Sequence, residues 1–420
     1  MKKVLVIIAA LLNVASVWGQ NRVYWVHGLN DNDSTWITYK TELVPLENRG
    51  SSLKWYSRNS LRTAASSLNS RINREMSLSG KAIVFGHSAG GLVARQAAQK
   101  NTKIRAVITA GTPNNGAGIV TSLKNQSFNN VADRAIGKIN ISTIMGDEAV
   151  AATFLPGVIT SICSVYQSIS KVVNEVLLAL AYDKIEETKN DFSSLAAVKD
   201  MNPNLAENDF LQNLNSSAPR VPIINLYGNE DDNRLVRIAG TALHKEENDS
   251  PSNTTDACYD ETVFPFYNSA LTTCTMLEVL HSTASSLLNI LGTYIPVYRG
   301  ASTLHSSASS SWADTKRYIQ FDVHNEWDEI IGAVHTDSIE NWHRFLWWTW
   351  CDVEYVTVYE DSDGFIPNKS SMMDESKGPN TKNHEIPGVN HLEMNSHSSM
   401  RDMLDDILSK GVYGEVFSYN

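Results

Sequence analysis

The pentapeptide Gly86-His-Ser88-Ala-Gly90 constrains the fold of this chain more than any other feature, because of what flanks it. Before it stands an apolar, strand-like run, Ala82–Phe85, and after it a helix-period stretch, Gly90–Lys100. A serine between two glycines at a strand-to-helix junction sits on a turn too tight for side chains at either glycine. Such a turn lifts the Ser88 Oγ clear of the backbone, at a helix N-terminus that favours developing negative charge. The competing reading is a plain Gly/Ser turn with no chemical role, and the strand–turn–helix setting argues against it.

Other short β-branched or aromatic runs end in or beside Gly, Ser or Asn: Val23–Val26, Leu53–Tyr56, Arg105–Thr109, Pro222–Tyr227 and Glu354–Tyr359. A second helix-period stretch, Leu61–Met76, lies among the early ones. Strands alternating with helices of this length predict βαβ units, hence an α/β fold with a mostly parallel sheet flanked by helices. Ligands of such sheets bind beyond the carboxyl ends of the strands. Two stretches break the alternation. One, about 115–217, holds apolar helical segments around Val150–Leu180, and the other, about 241–350, is rich in Ser and Thr and closes on Asn341-Trp-His-Arg-Phe-Leu-Trp-Trp-Thr-Trp350. Both are expected to be lid- or cap-like insertions above the sheet, leaving residues 20–420 as one catalytic domain.

With 420 residues, 42% of them hydrophobic, the chain can bury a full core, which excludes global disorder. A formal net charge of −11 excludes the basic footprint of a nucleic-acid binder. Lys2 and Lys3 followed by the apolar run Val4–Ala15 read as a signal peptide cleaved after Gly19, too short to span a bilayer comfortably. Export to the periplasm, cell surface or medium is therefore expected, with no cysteine at the junction to carry a lipid. Of the four cysteines, Cys258 and Cys274 are the expected disulfide pair, either Cys163 or Cys351 is compatible with a buried free thiol, and the connectivity is not fixed by sequence. No CxxC or His-rich spacing suggests zinc.

An acyl-transfer serine needs donors for an oxyanion. The backbone N–H of Ala89 is one, and the loop after Val23–Val26, His27-Gly28-Leu29, supplies the other at Leu29 N–H. His27 reads as a brace of that loop, since it precedes the serine while this kind of sheet runs serine, acid, histidine. For the acid, Asp363 opens the loop after the apparent strand Val356–Tyr359. Asp231 or Asp232, after Pro222–Tyr227, is the alternative, and Asp361 a weaker one. For the base, His391 follows the apparent strand His384–Ile386 and precedes a helical segment, Ser398–Leu408, whereas His384 and His397 read as surface residues.

In these motifs the chain resembles the α/β-hydrolases, and most of all the secreted bacterial triacylglycerol lipases. The matching pieces are His27-Gly28-Leu29, Gly86-His-Ser-Ala-Gly-Gly91, Thr112-Pro113-Asn-Asn-Gly116, Ser362-Asp363-Gly364-Phe-Ile-Pro367 and Asn390-His391-Leu392, in family order. The resemblance implies Ser88 as nucleophile, Asp363 as acid and His391 as base. Several relatives bind calcium near the histidine loop through acidic residues. Here Glu393 stands where those relatives carry an aspartate and is expected to be solvated, so neither a metal nor a cofactor is expected.

The implied activity is hydrolysis of carboxylic esters, most of all acylglycerols, with a lipid substrate, transient contact with lipid surfaces and no stable protein partner. Alternatives are an acyltransferase on the same triad, a short-chain carboxylesterase, or a non-catalytic protein of the same fold. Trp342, Trp347, Trp348 and Trp350 read as core residues or as the wall of an acyl-chain cleft.

Overall fold

The computed structural model describes residues 21–124, 195–230, 264–293, 297–345, 348–377 and 381–420, together with 134, 137, 138, 142, 145, 146, 149, 234, 237, 238 and 241. The signal segment, Cys163, Cys258, Asp231, Asp232, Trp347 and the run Val150–Leu180 lie outside the described residues.

Six strands form one all-parallel sheet: β1 (Asn21–Val26), β2 (Arg49–Leu53), β3 (Lys81–His87), β4 (Ile104–Ala110), β5 (Ile223–Asn229) and, after a separate hairpin, β8 (Thr381–Pro387). Their order is β2-β1-β3-β4-β5-β8. The hairpin pairs β6 (Val334–Phe345) with β7 (Trp348–Tyr359), antiparallel and outside the main sheet. The longer helices are α1 (Leu61–Glu75), α2 (Ala89–Lys100), α3 (Phe264–Gly292), α4 (Val297–Arg317) and α5 (Ser398–Leu408).

Strand alternation sorts the apolar side chains into two cores. Tyr24, Val26, Val84 and Val107 face one side with Leu61, Ala64, Ala65, Leu68 and Ile72 of α1 and Leu92, Val93 and Ala97 of α2. Val23, Trp25, Ile83, Phe85, Ile108 and Leu226 face the other with Met400, Leu404, Ile407 and Leu408 of α5. The α1 residues recur at helical spacing, and the Ser60 side chain caps the helix by accepting from Thr63 N–H. Apolar cover on both faces is what an all-parallel sheet requires.

The chain divides into two compact units, one of residues 1–121, 192–256 and 331–420, which holds the sheet, and one of 122–191 and 257–330. The sheet unit keeps both ends of each excursion expected from sequence, and it keeps the whole β6–β7 hairpin. In the second unit α3 and α4 share a polar seam. His281 Nδ1 and His305 Nδ1 lie 2.9 Å apart, and Ser302 Oγ donates to Ser285 O at 2.9 Å.

Four expectations need correction. The second strand is Arg49–Leu53, earlier than Leu53–Tyr56, because Trp55 is used as a loop residue stacked on His27. The run Glu354–Tyr359 belongs to the hairpin and not to the parallel sheet. Cys274 carries a free thiol inside α3, where burial pushes its pKa up to about 11, so it is not paired with Cys258. Trp342 and Trp350 stand on the hairpin 66% and 47% exposed, so neither is core.

Replacing fully buried Leu68 by alanine is expected to lower the unfolding free energy by about 2–5 kcal/mol. The same change at Leu78, which is 98% exposed, is expected to alter it by less than about 0.5 kcal/mol. Urea denaturation of the two variants checks the difference.

Candidate active site

Ser88 follows β3 directly and caps α2 with φ 51° and ψ −130°, a left-handed φ that a non-glycine residue adopts only under constraint. The constraint is close approach. A Cβ on Gly86 would overlap the Gly90 carbonyl, and one on Gly90 would overlap the His27 carbonyl. The turn is tied down by Ser88 N–H donating to Ala110 O at 2.8 Å and Gly91 N–H donating to Ser88 O at 3.0 Å.

His391 Nε2 lies 3.0 Å from Ser88 Oγ, and His391 Nδ1 lies 2.7 Å from Asp363 Oδ2. A carboxylate oxygen can only accept, so Nδ1 carries the proton, and Nε2 is left with a lone pair aimed at the serine hydroxyl. The other carboxylate oxygen, Oδ1, accepts from Phe365 N–H at 3.0 Å and Ile366 N–H at 2.7 Å. His391 N–H donates to Asp363 O at 2.7 Å, which locks the two loops together through the backbone as well. Asp363 and His391 are both buried.

Asp363 reaches this position by a different route from the one expected. Its loop does not extend a sheet strand. The chain returns from the hairpin and is stitched to the carboxyl end of β5, where Glu230 N–H donates to Ser362 O at 2.8 Å. The alternative acid Asp232 lies outside the described residues. His384 and His397 stand apart from the serine: His384 Nδ1 meets Tyr413 Oη at 2.6 Å, and His397 caps α5 by accepting from Ser399 N–H.

Ala89 is the first residue of α2, and Leu29 lies in the loop beyond β1. Among the described residues neither N–H donates to a protein acceptor. The loop lies against the serine, for a Cβ added to Gly28 would stand 3.1 Å from Ser88 Cβ. His27 holds it: Nδ1 donates to Gly28 O at 2.8 Å, Nε2 accepts from Trp55 N–H at 3.4 Å, and Trp55 Nε1 donates to His27 O at 3.0 Å. Burial lowers the His27 pKa, in keeping with a neutral ring that both donates and accepts.

Sequence reasoning missed three contributors. Gly111, just after β4, has φ 52°, and a Cβ there would stand 3.1 Å from both Asp363 Oδ2 and His391 Nδ1. His87 donates Nε2–H to His391 O at 3.0 Å, and its ring centroid lies 5.0 Å from that of His391. The third is a helical face of Arg234, Arg237, Ile238 and Thr241, spaced i, i+3, i+4, i+7. Arg234 Nε donates to Glu230 O at 2.9 Å and Nη1 to Glu360 O at 3.2 Å, while Thr241 Oγ1 accepts from Asn390 Nδ2 at 3.0 Å.

Arg237 sits between two carboxylates, with Nε 2.8 Å from Glu230 Oε2 and Nη2 3.2 Å from each oxygen of Glu393. Glu393 is therefore not solvated, as its sequence position suggested, but fully buried two residues beyond His391. A local signal was available. Asn390 Oδ1 accepts from Glu393 N–H at 3.1 Å, and Glu393 Oε2 accepts from Asn390 N–H at 3.1 Å, the reciprocal pattern of a capping box. The guanidinium occupies the space between these acids, and no group of three or more metal-ligating side chains occurs among the described residues.

No family model and no curated protein matches the chain. Solved structures similar to it include the lipase BlEst2 of Bacillus licheniformis in mature form, at 12% identity over 90% of this chain and 87% of that one, with a TM-score of 0.37. A thermophilic esterase is similar at 13% identity, over 93% and 90% of the two chains, with a TM-score of 0.31. An α/β hydrolase of Sphaerobacter thermophilus is similar at 13% identity, over 59% and 94%, with a TM-score of 0.26. At these identities and scores the chemistry of the site is read from the chain's own geometry.

Removing one member of a buried ion pair leaves an uncompensated charge, which costs about 3–5 kcal/mol. Arg237→Met is expected to lose stability on that scale, and adding Glu230→Gln and Glu393→Gln to regain the larger part of it. Chemical denaturation of the single and triple variants reads this directly.

Proposed function

We propose that this chain is an exported serine hydrolase that cleaves carboxylic esters through an acyl-enzyme, with acylglycerols and related lipid esters as its substrates. The observation that carries the reading is the continuous hydrogen-bond chain Ser88–His391–Asp363, based on a serine held at a left-handed φ. A structural serine needs neither that backbone nor a histidine whose second nitrogen is fixed by a buried carboxylate.

In this reading the lone pair on His391 Nε2 takes the Ser88 hydroxyl proton as Oγ attacks the ester carbonyl carbon. The carbonyl electrons move onto oxygen, and the N–H groups of Leu29 and Ala89 receive the oxyanion. Asp363 stabilises the imidazolium without taking its proton, because Nδ1–H stays hydrogen-bonded to Oδ2. The tetrahedral adduct collapses as His391 donates its new proton to the leaving alcohol, giving the acyl-Ser88 ester and free alcohol. Water then attacks the acyl carbon while His391 takes its proton, and collapse returns the proton to Ser88 Oγ and releases the acid. The motif resemblance to lipases favours lipid esters, and the segment 1–19 favours export. Nothing in the proposed steps calls for a metal or a nucleic acid.

A p-nitrophenyl ester series from acetyl to palmitoyl tests the proposal on the purified chain. Ser88→Ala and His391→Ala are expected to fall to the uncatalysed rate. Asp363→Asn is expected to lose about 10⁴ in kcat, while Asp232→Asn keeps most of its activity. Equal rates for wild type and Ser88→Ala would sink the hydrolase reading, and a sharp preference for acetyl esters would remove the lipid part of it.

A further inference from the structure

The tryptophan-rich segment has no part in the site described above. Its described residues form the far end of the β6–β7 ribbon, in register from Val334↔Tyr359 to Phe345↔Trp348. A two-stranded ribbon standing alone is marginal in water, yet this one leaves large apolar side chains exposed on both faces. Residues directly opposite share a face, so Trp342, Val353 and Tyr355 lie on one side, and Ile339 and Trp350 on the other, all exposed.

We infer that the distal end of this ribbon is a lipid-surface anchor, inserted into the interfacial layer of a bilayer or lipid droplet. Two observations select lipid over a protein partner or a second copy of the chain. First, the aromatic side chains occupy both faces. A protein surface covers one face of a ribbon, whereas a lipid interface surrounds its tip on every side. Second, charge is graded along the ribbon. No acid occurs from Asn341 to Cys351, where Arg344 is the one formally charged residue, while Asp337, Glu340, Asp352 and Glu354 lie at or behind the boundary of that stretch. Glu340 accepts from the Trp342 indole at 3.1 Å and Asp352 meets His343 at 3.2 Å, marking where the polar part begins.

The dimensions agree with a shallow insertion. The four rungs from Trp342↔Cys351 to Phe345↔Trp348 extend about 10 Å at the rise of an antiparallel strand, and interfacial elements enter about 5–10 Å. Deeper entry is blocked because the outer edges of a two-stranded ribbon present unpaired backbone N–H and C=O groups. Tryptophan, with an apolar body and a polar N–H, is the residue enriched at that depth. The role fits the proposed action on lipid esters but rests on the ribbon alone, and it would bring the protein to its substrate without electrostatic attraction, as a chain of net charge −11 requires.

Flotation with phosphatidylcholine vesicles tests the inference, using Ser88→Ala protein of residues 20–420, so that the apolar run Val4–Ala15 is absent and the lipid is not consumed. The Ser88→Ala parent is expected to float with the vesicles and to go on floating in 0.5 M salt. Adding Trp342→Ser and Trp350→Ser is expected to cut the floated fraction at least tenfold with an unchanged unfolding transition, whereas adding Leu78→Ser leaves it as in the parent. A parent that stays at the bottom of the gradient, or a double tryptophan variant that floats equally well, overturns the anchor. So does a lipid-free dimer abolished by the same two substitutions, which would assign the ribbon to a second copy. Flotation of the parent alongside a wild-type chain inactive on every ester would overturn the hydrolase reading and leave the anchor standing.

Discussion

An imidazole placed between one hydroxyl and one carboxylate is the interaction on which the rest of this structure depends. Ser88 and His391 are 303 residues apart in sequence and meet at 3.0 Å, and Asp363 must arrive at the same point from a third direction. An all-parallel sheet solves this because every strand delivers its following loop to the same edge. The serine leaves from the end of β3, the histidine from the end of β8, and the acid is brought to the end of β5 by hydrogen bonding to Glu230. The two apolar cores that clothe the sheet keep these three ends in register.

The site is held at a cost that its surroundings offset. Ser88 at φ 51° and a fully buried Glu393 are each unfavourable in isolation. Close glycine packing fixes the first, and the guanidinium of Arg237 compensates the second. The triad Glu230–Arg237–Glu393 ties the end of β5 to the loop of His391 in one electrostatic clamp. A buried cation between two acids contributes little net stability compared with an apolar filling, but it defines one arrangement of the loops.

What could be read from the sequence was what local chemistry determines. The strand–turn–helix around Ser88 depends on residues within one short window, and so does the helix Ser398–Leu408 after His391. Pairing partners are a different matter. Val356-Thr-Val-Tyr359 has the composition of a strand, but composition does not say that its neighbour is β6 and not the main sheet. Glu393 was misread although Asn390 and Glu393 carry a capping-box spacing, because that spacing does not disclose the partner Arg237, 156 residues earlier. The tryptophans were misread for the opposite reason. Tryptophan is usually buried, and only the two-stranded geometry of the ribbon shows Trp342 and Trp350 left exposed among the described residues.

The same bonds explain how a long excursion can be tolerated beside a reactive acid. The chain leaves the sheet at Glu230 and returns at Ser362, and the backbone bond between these residues closes the excursion at its neck. Arg234 reinforces the closure by holding the carbonyls of Glu230 and Glu360 together. Loop-closure entropy grows only slowly with length, so once the neck is fixed the excursion adds little further cost. Asp363 lies one residue beyond the closure, so the bonds of the neck fix where its loop begins. The excursion also returns to the site, since its Arg237 meets Glu393 and its Thr241 accepts from Asn390, on either side of His391 in the sequence. Two sets of contacts made by one excursion, the backbone neck between Glu230 and Ser362 and the helical residues Arg237 and Thr241, thus hold the loops of Asp363 and His391.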